Sequence, residues 1–300
     1  MCGIVGIFDC VGKRAVVPAV LERMNERQHH RGPDGGGVHI EPGVGLGHRR
    51  LAIIDVATGQ QPLFNEDGSV VVVFNGEIYN FQELIPELTA LGHVFKTRSD
   101  TEVIVHAWEA WGEACVQRFR GMFAFALWDR NRQTLFMARD RLGVKPLYYA
   151  LLPDGQLIFG SELKALLAHG GLRREIDPYA VEEYFALGYV PEPRTIFLGC
   201  HKLPPAATLT VQRGRPLPAP VSYWDVRFSL DNKVSDGEAM EELNRRLRES
   251  VKLRMISEVP LGAFLSGGVD SSAVVAAMAS QSDSPVKTCS IAFSDPAFDE

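Results

Sequence analysis

The sequence has few cysteines for its length, and no two of them stand at the spacing of a metal site or a redox motif. The five are dispersed through the 300 residues, at Cys2, Cys10, Cys115, Cys200 and Cys289. An odd and scattered set does not form a disulfide framework and is typical of a reducing compartment. We therefore expect a cytoplasmic protein.

Long apolar runs and blocks of positive charge are missing as well. No apolar run reaches the roughly 18 residues of a membrane helix, and the amino terminus lacks the charged and apolar segments of a signal peptide. The net charge of −6 argues against neutralisation of nucleic-acid phosphates. Neither a membrane nor a nucleic acid is expected as a partner.

The composition that remains is that of a globular protein, with 46% hydrophobic and 23% charged residues in a chain long enough for two domains. Between Leu203 and Asp236 the sequence becomes rich in proline and then polar. We predict a first domain at residues 2–210, a linker at 211–235 and a second domain at 236–300.

The first eight residues, MCGIVGIF, predict a strand that begins with a thiol. Met1 is expected to be removed because the next side chain is small, which leaves Cys2 with a thiol and a free α-amine. An α-amine has a reference pKa of about 7.7–8.0, so it can accept the thiol proton and activate a nucleophile. Cys2 alone leaves open the alternative of a small buried residue.

A second stretch suits attack on an amide. The β-branched run from Val70 to Phe74 predicts a buried strand that ends in Asn75-Gly76-Glu77. The asparagine amide and the glycine N–H form a pair of donors for an oxyanion, and Glu77 could bind an ammonium group. An ordinary turn at the end of a strand is the alternative.

Further charged residues could bind the head group of an amino acid. The strand-like segment GLGHRRLAIID at 45–55 carries Arg49 and Arg50. An arginine in a strand is usually solvated, but one beside a cleft could bind a carboxylate in bidentate fashion. Asp100 either caps the helix that follows or offers a second carboxylate to an ammonium group, and the sequence favours the cap.

Residues 122–162 predict several strands separated by turns, and helices on both sides of the strands predict a four-layer sandwich. Within this stretch, the charged segment RDRLGVKPLYY at 139–149 flanks a glycine turn with opposite charges. We interpret it as a structural ion-pair network between strands.

Near the carboxyl end, LGAFL, then SGGVDSS at 266–272, then an apolar helix predict a strand, a tight turn and a helix amino terminus. Backbone N–H groups in such a turn bind anions. The loop lacks the lysine of the common phosphate-binding loop and adds Asp270, which could bind Mg²⁺ on a pyrophosphate. A further strand is predicted from Lys287 to Phe293.

Taken in order, the motifs MCGIVGIF, HRGPD, GHRRLAIID, FNGEIYN, RSDTE, RGMFAFALWD, RDRLGVKPLYY, SELKAL and FLSGGVDSS resemble the glutamine-dependent asparagine synthetase family. The first part resembles a class II glutaminase of the N-terminal-nucleophile hydrolase fold, an α+β four-layer αββα sandwich. The second part is similar to the start of an ATP-pyrophosphatase domain, an α/β doubly wound fold of the adenine-nucleotide α-hydrolase type.

The resemblance implies roles for individual residues. It implies catalysis by Cys2, Asn75 and Gly76, and binding of L-glutamine by Arg50, Leu51, Ile54, Asn75, Gly76, Glu77 and Asp100. It also implies binding of ATP and pyrophosphate by Leu265, Ser266, Gly267, Gly268, Asp270, Ser271, Ser272 and Phe293, with Mg²⁺ on Asp270. A homodimer is compatible with the resemblance, although the sequence does not define the oligomeric state.

The activity implied is that of a ligase: a Cys2 thioester releases ammonia from glutamine, and the ammonia converts an adenylated aspartate into asparagine, with AMP, pyrophosphate and glutamate as the other products. Three alternatives stay open. They are a different carboxylate acceptor such as a cell-envelope saccharide or peptide, a non-catalytic glutamine-binding subunit, and a phosphoribosyl or hexosamine-phosphate amidotransferase, against which SGGVDSS argues. Because the sequence stops shortly after the second strand of the synthetase part, we expect a partial domain that exposes apolar surface and does not itself make asparagine.

Overall fold

The computed structural model describes residues 1–229, 234–293 and 295. The chain divides into two compact units, Met1–Val226 and Arg227–Glu300. Among the described residues, no helix combines the length and the apolar character needed to span a membrane.

The first unit, all of which is described, is built on two antiparallel six-stranded sheets. In chain order the strands are β1 (Gly3–Asp9), β2 (Gly35–Glu41), β3 (Val44–Arg50), β4 (Leu63–Phe64), β5 (Val70–Ile78), β6 (Gly121–Asp129), β7 (Thr134–Arg139), β8 (Tyr148–Leu151), β9 (Gln156–Gly160), β10 (Cys200–Lys202), β11 (Ala207–Gln212) and β12 (Val221–Ser222). The first sheet has the order β10-β8-β9-β1-β3-β2, and the second has the order β12-β11-β7-β6-β5-β4.

Helices cover the outer face of each sheet. Helices α1 (Pro18–Glu26) and α5 (Leu163–Leu167) lie on the first sheet and α3 (Glu102–Trp111) on the second, where α2 (Phe81–Ala90) and α4 (Cys115–Arg118) pack against α3. Helix α6 (Pro178–Leu187) is mostly exposed, and Ala180 is its one buried residue. Leu21 of α1 and Leu166 of α5 join the apolar cluster on the first sheet, and Trp108 of α3 stacks on Phe136 of the second sheet with ring centroids 4.8 Å apart. The predicted four-layer αββα arrangement is therefore confirmed.

Strand β1 shows why the two sheets face each other. Successive side chains of a strand point to opposite faces. Ile4 and Phe8 belong to the core between the sheets, whereas Val5 and Ile7 belong to the cluster beneath α1 and α5. All four are buried, so β1 is covered on both faces. A strand in this position requires apolar residues throughout and not an alternation of apolar and polar residues.

The second unit contains α7 (Asp236–Arg254), β13 (Gly262–Phe264), α8 (Val269–Ala279) and β14 (Lys287–Cys289). Strands β13 and β14 are parallel and are connected through α8. The buried cluster is small, whereas Phe264 and Val269 are 75% and 86% exposed. The exposed apolar surface agrees with the sequence prediction. The predicted strand at 287–293 is shorter than expected, since β14 ends at Cys289.

The predicted linker begins earlier than the structural boundary between the units. The segment 211–235 includes the end of β11 and all of β12, which pairs with β11 at the edge of the second sheet. Tyr223 then donates its N–H to the Ala206 carbonyl and its hydroxyl to the Arg139 carbonyl. Prolines are tolerated at a sheet edge, so the proline-rich composition did not mark the end of the unit. The polar stretch predicted at 231–233 lies outside the described residues.

Candidate active site

One cavity of about 140 Å³ opens at the amino terminus of β1 and the carboxyl-terminal half of β5. All eight residues that the sequence assigned to glutamine binding or catalysis line it: Cys2, Arg50, Leu51, Ile54, Asn75, Gly76, Glu77 and Asp100. The remaining lining residues are Met1, Ile53, Gly59, Gln61, Phe74, Ser99, Thr101, Met122 and Lys145. Segments far apart in the sequence therefore bring a thiol, an amide and charged groups of both signs together.

Cys2 lies directly before β1, and its thiol is held against the backbone of Leu51. The Leu51 N–H donates to Cys2 Sγ at 3.4 Å, and the thiol faces the Leu51 carbonyl at 3.6 Å. Burial raises the pKa of the Cys2 thiol, and the Leu51 N–H acts in the opposite direction. The thiol is therefore mostly protonated at neutral pH and needs a base to become a nucleophile.

The outer edge of β5 presents its N–H groups to this cavity. Alternate residues of a strand direct their N–H groups to the same side. The Phe74 N–H donates to Gln61 Oε1 at 2.7 Å, and the Ile78 N–H donates to Asp100 Oδ2 at 2.9 Å. Gly76 lies between these two residues, so its N–H points to the same edge, where Gly76 lines the cavity.

Gly76 has no room for a side chain. A Cβ atom at this position would lie 2.2 Å from the Met122 carbonyl oxygen and 2.7 Å from the Phe123 Cα. Both are backbone atoms of the neighbouring strand β6, so they cannot rotate away. Glycine is therefore required at the point where β5 passes the cavity.

The side-chain amide of Asn75 is the unusual polar group of the site. The residue is 1% exposed, and within the described residues neither Nδ2 nor Oδ1 has a hydrogen-bond partner. A buried polar group without a partner costs about 1–3 kcal/mol of stability. The amide of Asn75 lines the same cavity as the Cys2 thiol, so its Nδ2 is available to donate a hydrogen bond to a substrate oxygen there.

Asp100 does not cap a helix, contrary to the interpretation that the sequence favoured. Helix α3 begins at Glu102 with Thr101 as its N-cap residue, and Asp100 instead accepts the Ile78 N–H of β5. Burial raises the pKa of Asp100 to about 7, the Ile78 N–H opposes that shift, and the Glu77 carboxylate adds to it. Asp100 and Glu77 therefore place two carboxyl groups at one end of the cavity. A cation binds most favourably at that end.

The raised pKa of Asp100 predicts a stability that falls with rising pH. Between its ordinary value of 3.8 and about 7, the folded chain binds this proton more tightly than the unfolded chain does. When the pH rises from 5 to 8, the free energy of unfolding of wild type should therefore fall by roughly 2–4 kcal/mol more than that of Asp100→Asn. Urea unfolding at both pH values measures the difference, with the exposed Asp225→Asn as control. A constant difference between wild type and Asp100→Asn would contradict the assignment.

Arg50 has a structural function in addition to its place in the cavity wall. Its guanidinium donates to the carbonyls of Ile54, Asp55 and Val56 at 3.2, 2.6 and 3.0 Å. These bonds hold the loop that carries Leu51 and Ile54. Arginine has five N–H donors, so two remain after these three bonds.

The structure adds Lys145 to the site, which the sequence interpretation had treated as part of an ion-pair network. The expected pairing is present at Arg139, whose guanidinium lies 2.7 Å from the Glu192 carboxylate. Hydrogen bonds between side chains and backbone also hold the segment 139–149: Asp140 accepts the N–H groups of Val144 and Lys145, and Arg139 donates to the Lys145 carbonyl. The Lys145 side chain lines the cavity, and burial lowers the pKa of its ammonium group while Glu77 opposes that shift. The mixed charges in the sequence gave no sign of this.

The second group of predicted residues lies in the second unit. The loop from Leu265 to Gly268 connects β13 to α8, and Gly267 has a φ of +91° that favours glycine. Gly268 is the N-cap of α8 and, as a glycine, offers no side-chain cap, and its own N–H faces the Ser266 hydroxyl at 3.5 Å. The Ser271 hydroxyl donates to the Gly268 carbonyl at 3.1 Å, and Asp270 is exposed.

Comparison with known proteins gives two family matches. Residues 1–224 match the family described as Glutamine amidotransferase domain, and residues 242–300 match the family described as Asparagine synthase. Asparagine synthetase (glutamine-hydrolyzing) 1 of Bacillus subtilis is 39% identical over 303 residues, which is 100% of this chain and 47% of that protein. The putative asparagine synthetase (glutamine-hydrolyzing) 2 of Methanocaldococcus jannaschii is 40% identical over 98% of this chain and 60% of its own length. The chain thus spans about half the length of these relatives.

Among solved structures, the chain resembles a glutamine phosphoribosylpyrophosphate amidotransferase from B. subtilis complexed with ADP and GMP. The TM-score is 0.55 at 18% sequence identity, over 96% of this chain and 65% of that one. A second structure, titled as the allosteric regulatory enzyme of purine biosynthesis, gives a TM-score of 0.56 at 17% identity over the same shares. At these identities the likeness concerns the fold.

Proposed function

The chain belongs to the glutamine amidotransferase domain family over residues 1–224, and on that premise we propose that its first unit hydrolyses L-glutamine and supplies the ammonia to an ATP-dependent synthetase. The observation that carries the proposal is the cavity that joins the Cys2 thiol to the unpartnered amide of Asn75. The whole protein would be a glutamine-dependent asparagine synthetase, a carbon–nitrogen ligase.

The reaction begins at Cys2. With Met1 removed, the α-amine of Cys2 accepts the thiol proton, and Sγ attacks the amide carbon of glutamine. The carbonyl oxygen becomes an oxyanion that accepts hydrogen bonds from Asn75 Nδ2 and the Gly76 N–H. The intermediate collapses to a thioester as the protonated nitrogen leaves as ammonia, and water then cleaves the thioester to glutamate and the free thiol.

The other lining groups would hold the amino-acid head of glutamine. Glu77 and Asp100 bind the α-ammonium, and this cation favours the ionised form of Asp100. A guanidinium N–H of Arg50 binds the α-carboxylate, beside the backbone of Leu51 to Ile54. Bound glutamine would therefore place an opposite charge beside Arg50, Glu77 and Asp100, and so offset the cost of burying their charges in the free chain.

The first unit, Met1–Val226, would be the glutaminase domain, and the second unit, Arg227–Glu300, would begin the synthetase domain. The residues suit a polyphosphate, because the N-cap of α8 offers no side-chain cap and, among the described residues, only the chain neighbours of Gly267 come within 4 Å of a Cβ placed on it. Ser266 to Ser272 would hold the pyrophosphate of ATP, Asp270 its Mg²⁺, and Leu265 and Phe293 would border the nucleotide. When bound, ATP supplies the adenylyl group that activates the acceptor carboxylate.

Aspartate is the acceptor that we propose, because the relatives named above are asparagine synthetases. A saccharide or peptide acceptor has no comparable support. The five free cysteines, all within the described residues, and the small-molecule substrates fit a cytoplasmic enzyme.

The role of Asp270 is tested in a chain extended to the length of the relatives. Asp270→Ala should lower conversion of ATP to AMP by roughly 10- to 100-fold, as loss of a group that supports a metal does, while glutamate release stays at the wild-type rate. The exposed Asp283→Ala is the matched control in the same unit. Unchanged AMP formation would remove Asp270 from the proposed site.

A further inference from the structure

Apart from the cavity, two histidines and two glutamates from three separate segments converge beside the second sheet. Glu66 lies in the turn between β4 and β5, His93 follows α2, and His106 and Glu109 share one side of α3. One side-chain nitrogen or oxygen of each residue lies within 4.8 Å of those of the other three. The proposed glutaminase and synthetase reactions use none of the four.

The separations within this cluster are longer than hydrogen bonds. His106 Nδ1 lies 3.4 Å from Glu66 Oε2 and 3.5 Å from Glu109 Oε2. His93 Nδ1 lies 3.5 Å from Glu66 Oε1 and 3.8 Å from Glu109 Oε2. An N–H···O hydrogen bond measures about 2.7–3.2 Å. A tetrahedral Zn²⁺ with ligands at about 2.0–2.1 Å separates neighbouring ligand atoms by about 3.3–3.4 Å. Three of the four separations lie close to that spacing, and Glu66 faces each histidine through a different oxygen.

His106 gives an independent indication of a ligand. Its side chain is 1% exposed, and among the described residues neither ring nitrogen has a hydrogen-bond partner. Glu109 Oε2, which faces the same point, also has none. Buried imidazole and carboxylate atoms normally find hydrogen bonds, and a shared cation would satisfy the Nδ1 and Oε2 atoms together.

The surroundings orient these side chains as the outer groups of metal sites do. The Nε2 atom of His106 faces Glu102 Oε1 at 3.5 Å, so Nδ1 is the nitrogen directed into the cluster. Glu102 is fixed in turn by the N–H groups of Lys96 and Thr97. Around zinc, the other ring nitrogen of a histidine ligand commonly donates to a carboxylate, and Glu102 is the carboxylate nearest to that nitrogen here, at a separation longer than such a bond.

Glu109 is oriented in the same way. Its Oε1 atom accepts a hydrogen bond from Asn65 Nδ2 at 2.7 Å, which directs Oε2 to the histidines. The side chains of Glu66 and Glu109 are 31% and 28% exposed. An ion can therefore reach the cluster from solvent without unfolding of α3.

We propose that Glu66, His93, His106 and Glu109 bind one divalent cation. Two nitrogen and two oxygen ligands within 4.8 Å of one another suit Zn²⁺ best among the common biological ions. The ion would join the β4–β5 turn and the segment after α2 to α3. Because α3 directly follows Ser99 to Thr101, which line the cavity, the metal would stabilise the wall that carries Asp100.

The test is titration of the chelator-treated chain with Zn²⁺, followed by calorimetry and by metal analysis after desalting. We expect one equivalent per chain and a higher unfolding temperature with the metal than without it. The Cys2→Ala chain should bind equally well, which separates this site from the active-site thiol. Co²⁺ should enter the same site and show the visible spectrum of a tetrahedral ion.

Four variants locate the binding. His93→Gln and Glu109→Gln should each weaken Zn²⁺ affinity at least about tenfold, since even outer groups of metal sites have effects of that size. His29→Gln and Glu113→Gln change an exposed histidine and an exposed glutamate outside the cluster and should leave affinity unchanged. Circular dichroism checks that each variant is folded.

Two results would overturn the proposal. One is folded wild-type chain that takes up no Zn²⁺ or Co²⁺, or only octahedral Co²⁺. The other is stoichiometric binding that survives both His93→Gln and Glu109→Gln. Either result would mean that His106 is a buried imidazolium paired with carboxylates and that the cluster binds no metal. The spectrum of Co²⁺ in wild type decides the matter even if the variants fail to fold.

Discussion

Alanine at Cys2 is expected to lower glutamate release from L-glutamine by about 10⁴-fold or more, the scale on which hydrolases lose activity without their nucleophile. The thioester cannot form without Sγ, and water would have to attack the amide directly. Glutamine binding should persist, because Arg50, Glu77 and Asp100 are untouched. Glutamate formation and calorimetric binding of glutamine measure the two effects.

The control for this variant is Cys289→Ala, which removes an exposed thiol from the second unit and should keep the wild-type rate. In a chain extended to the length of the relatives, Cys2→Ala should still make asparagine from added ammonia. Loss of both activities together would argue against two separate sites. Wild-type glutamate release by Cys2→Ala would exclude Cys2 as the nucleophile.

Replacing Asn75 by alanine or aspartate should reduce kcat for glutamate release by about 10²- to 10³-fold, as loss of one oxyanion donor does, with KM nearly unchanged. The Nδ2 donor stabilises a charge that exists in the transition state and not in bound glutamine. The Gly76 N–H remains, so activity should not vanish. Aspartate is nearly isosteric with asparagine but places a carboxyl group beside the oxyanion, so alanine is the variant that measures loss of the donor alone.

Asn80→Ala is the matched control for Asn75. Asn80 is also a buried asparagine near the end of β5, but its amide bridges the Arg118 carbonyl and the Arg120 N–H. Asn80→Ala should therefore lower the free energy of unfolding, while its folded fraction keeps the wild-type kcat. An increase in KM for Asn75→Ala with kcat unchanged would place Asn75 in ground-state binding and not in oxyanion stabilisation.

The strands and the cavity were predictable from the sequence to different extents. Strands β6 to β9 follow from apolar runs separated by turn residues, and the glutamine-site motifs lie at strand ends, so their meeting in one cavity could be expected. Asp100 could not be assigned in this way. Its position before a helix suggests a cap, whereas the decisive fact is the unpaired edge of β5, which local sequence does not reveal.

Lys145 and the histidine–glutamate cluster escaped the sequence interpretation for a related reason. Lys145 sits in a run of mixed charges, and only the tertiary structure shows that it lines the cavity. The cluster draws one residue each from two connections and two residues from α3, so no ligand spacing appears in the sequence. Burial of His106 without a hydrogen bond is a tertiary property.

The central claim is that the Cys2 thiol forms a covalent bond to the substrate. The most direct test is rapid acid quench of the chain during glutamine turnover, followed by peptide mapping by mass spectrometry. We predict a γ-glutamyl adduct on the amino-terminal peptide that starts at Cys2, none on the peptide of the exposed Cys289, and none in Cys2→Ala. Glutamate release at the wild-type rate by Cys2→Ala, or an adduct that maps elsewhere, would contradict the claim.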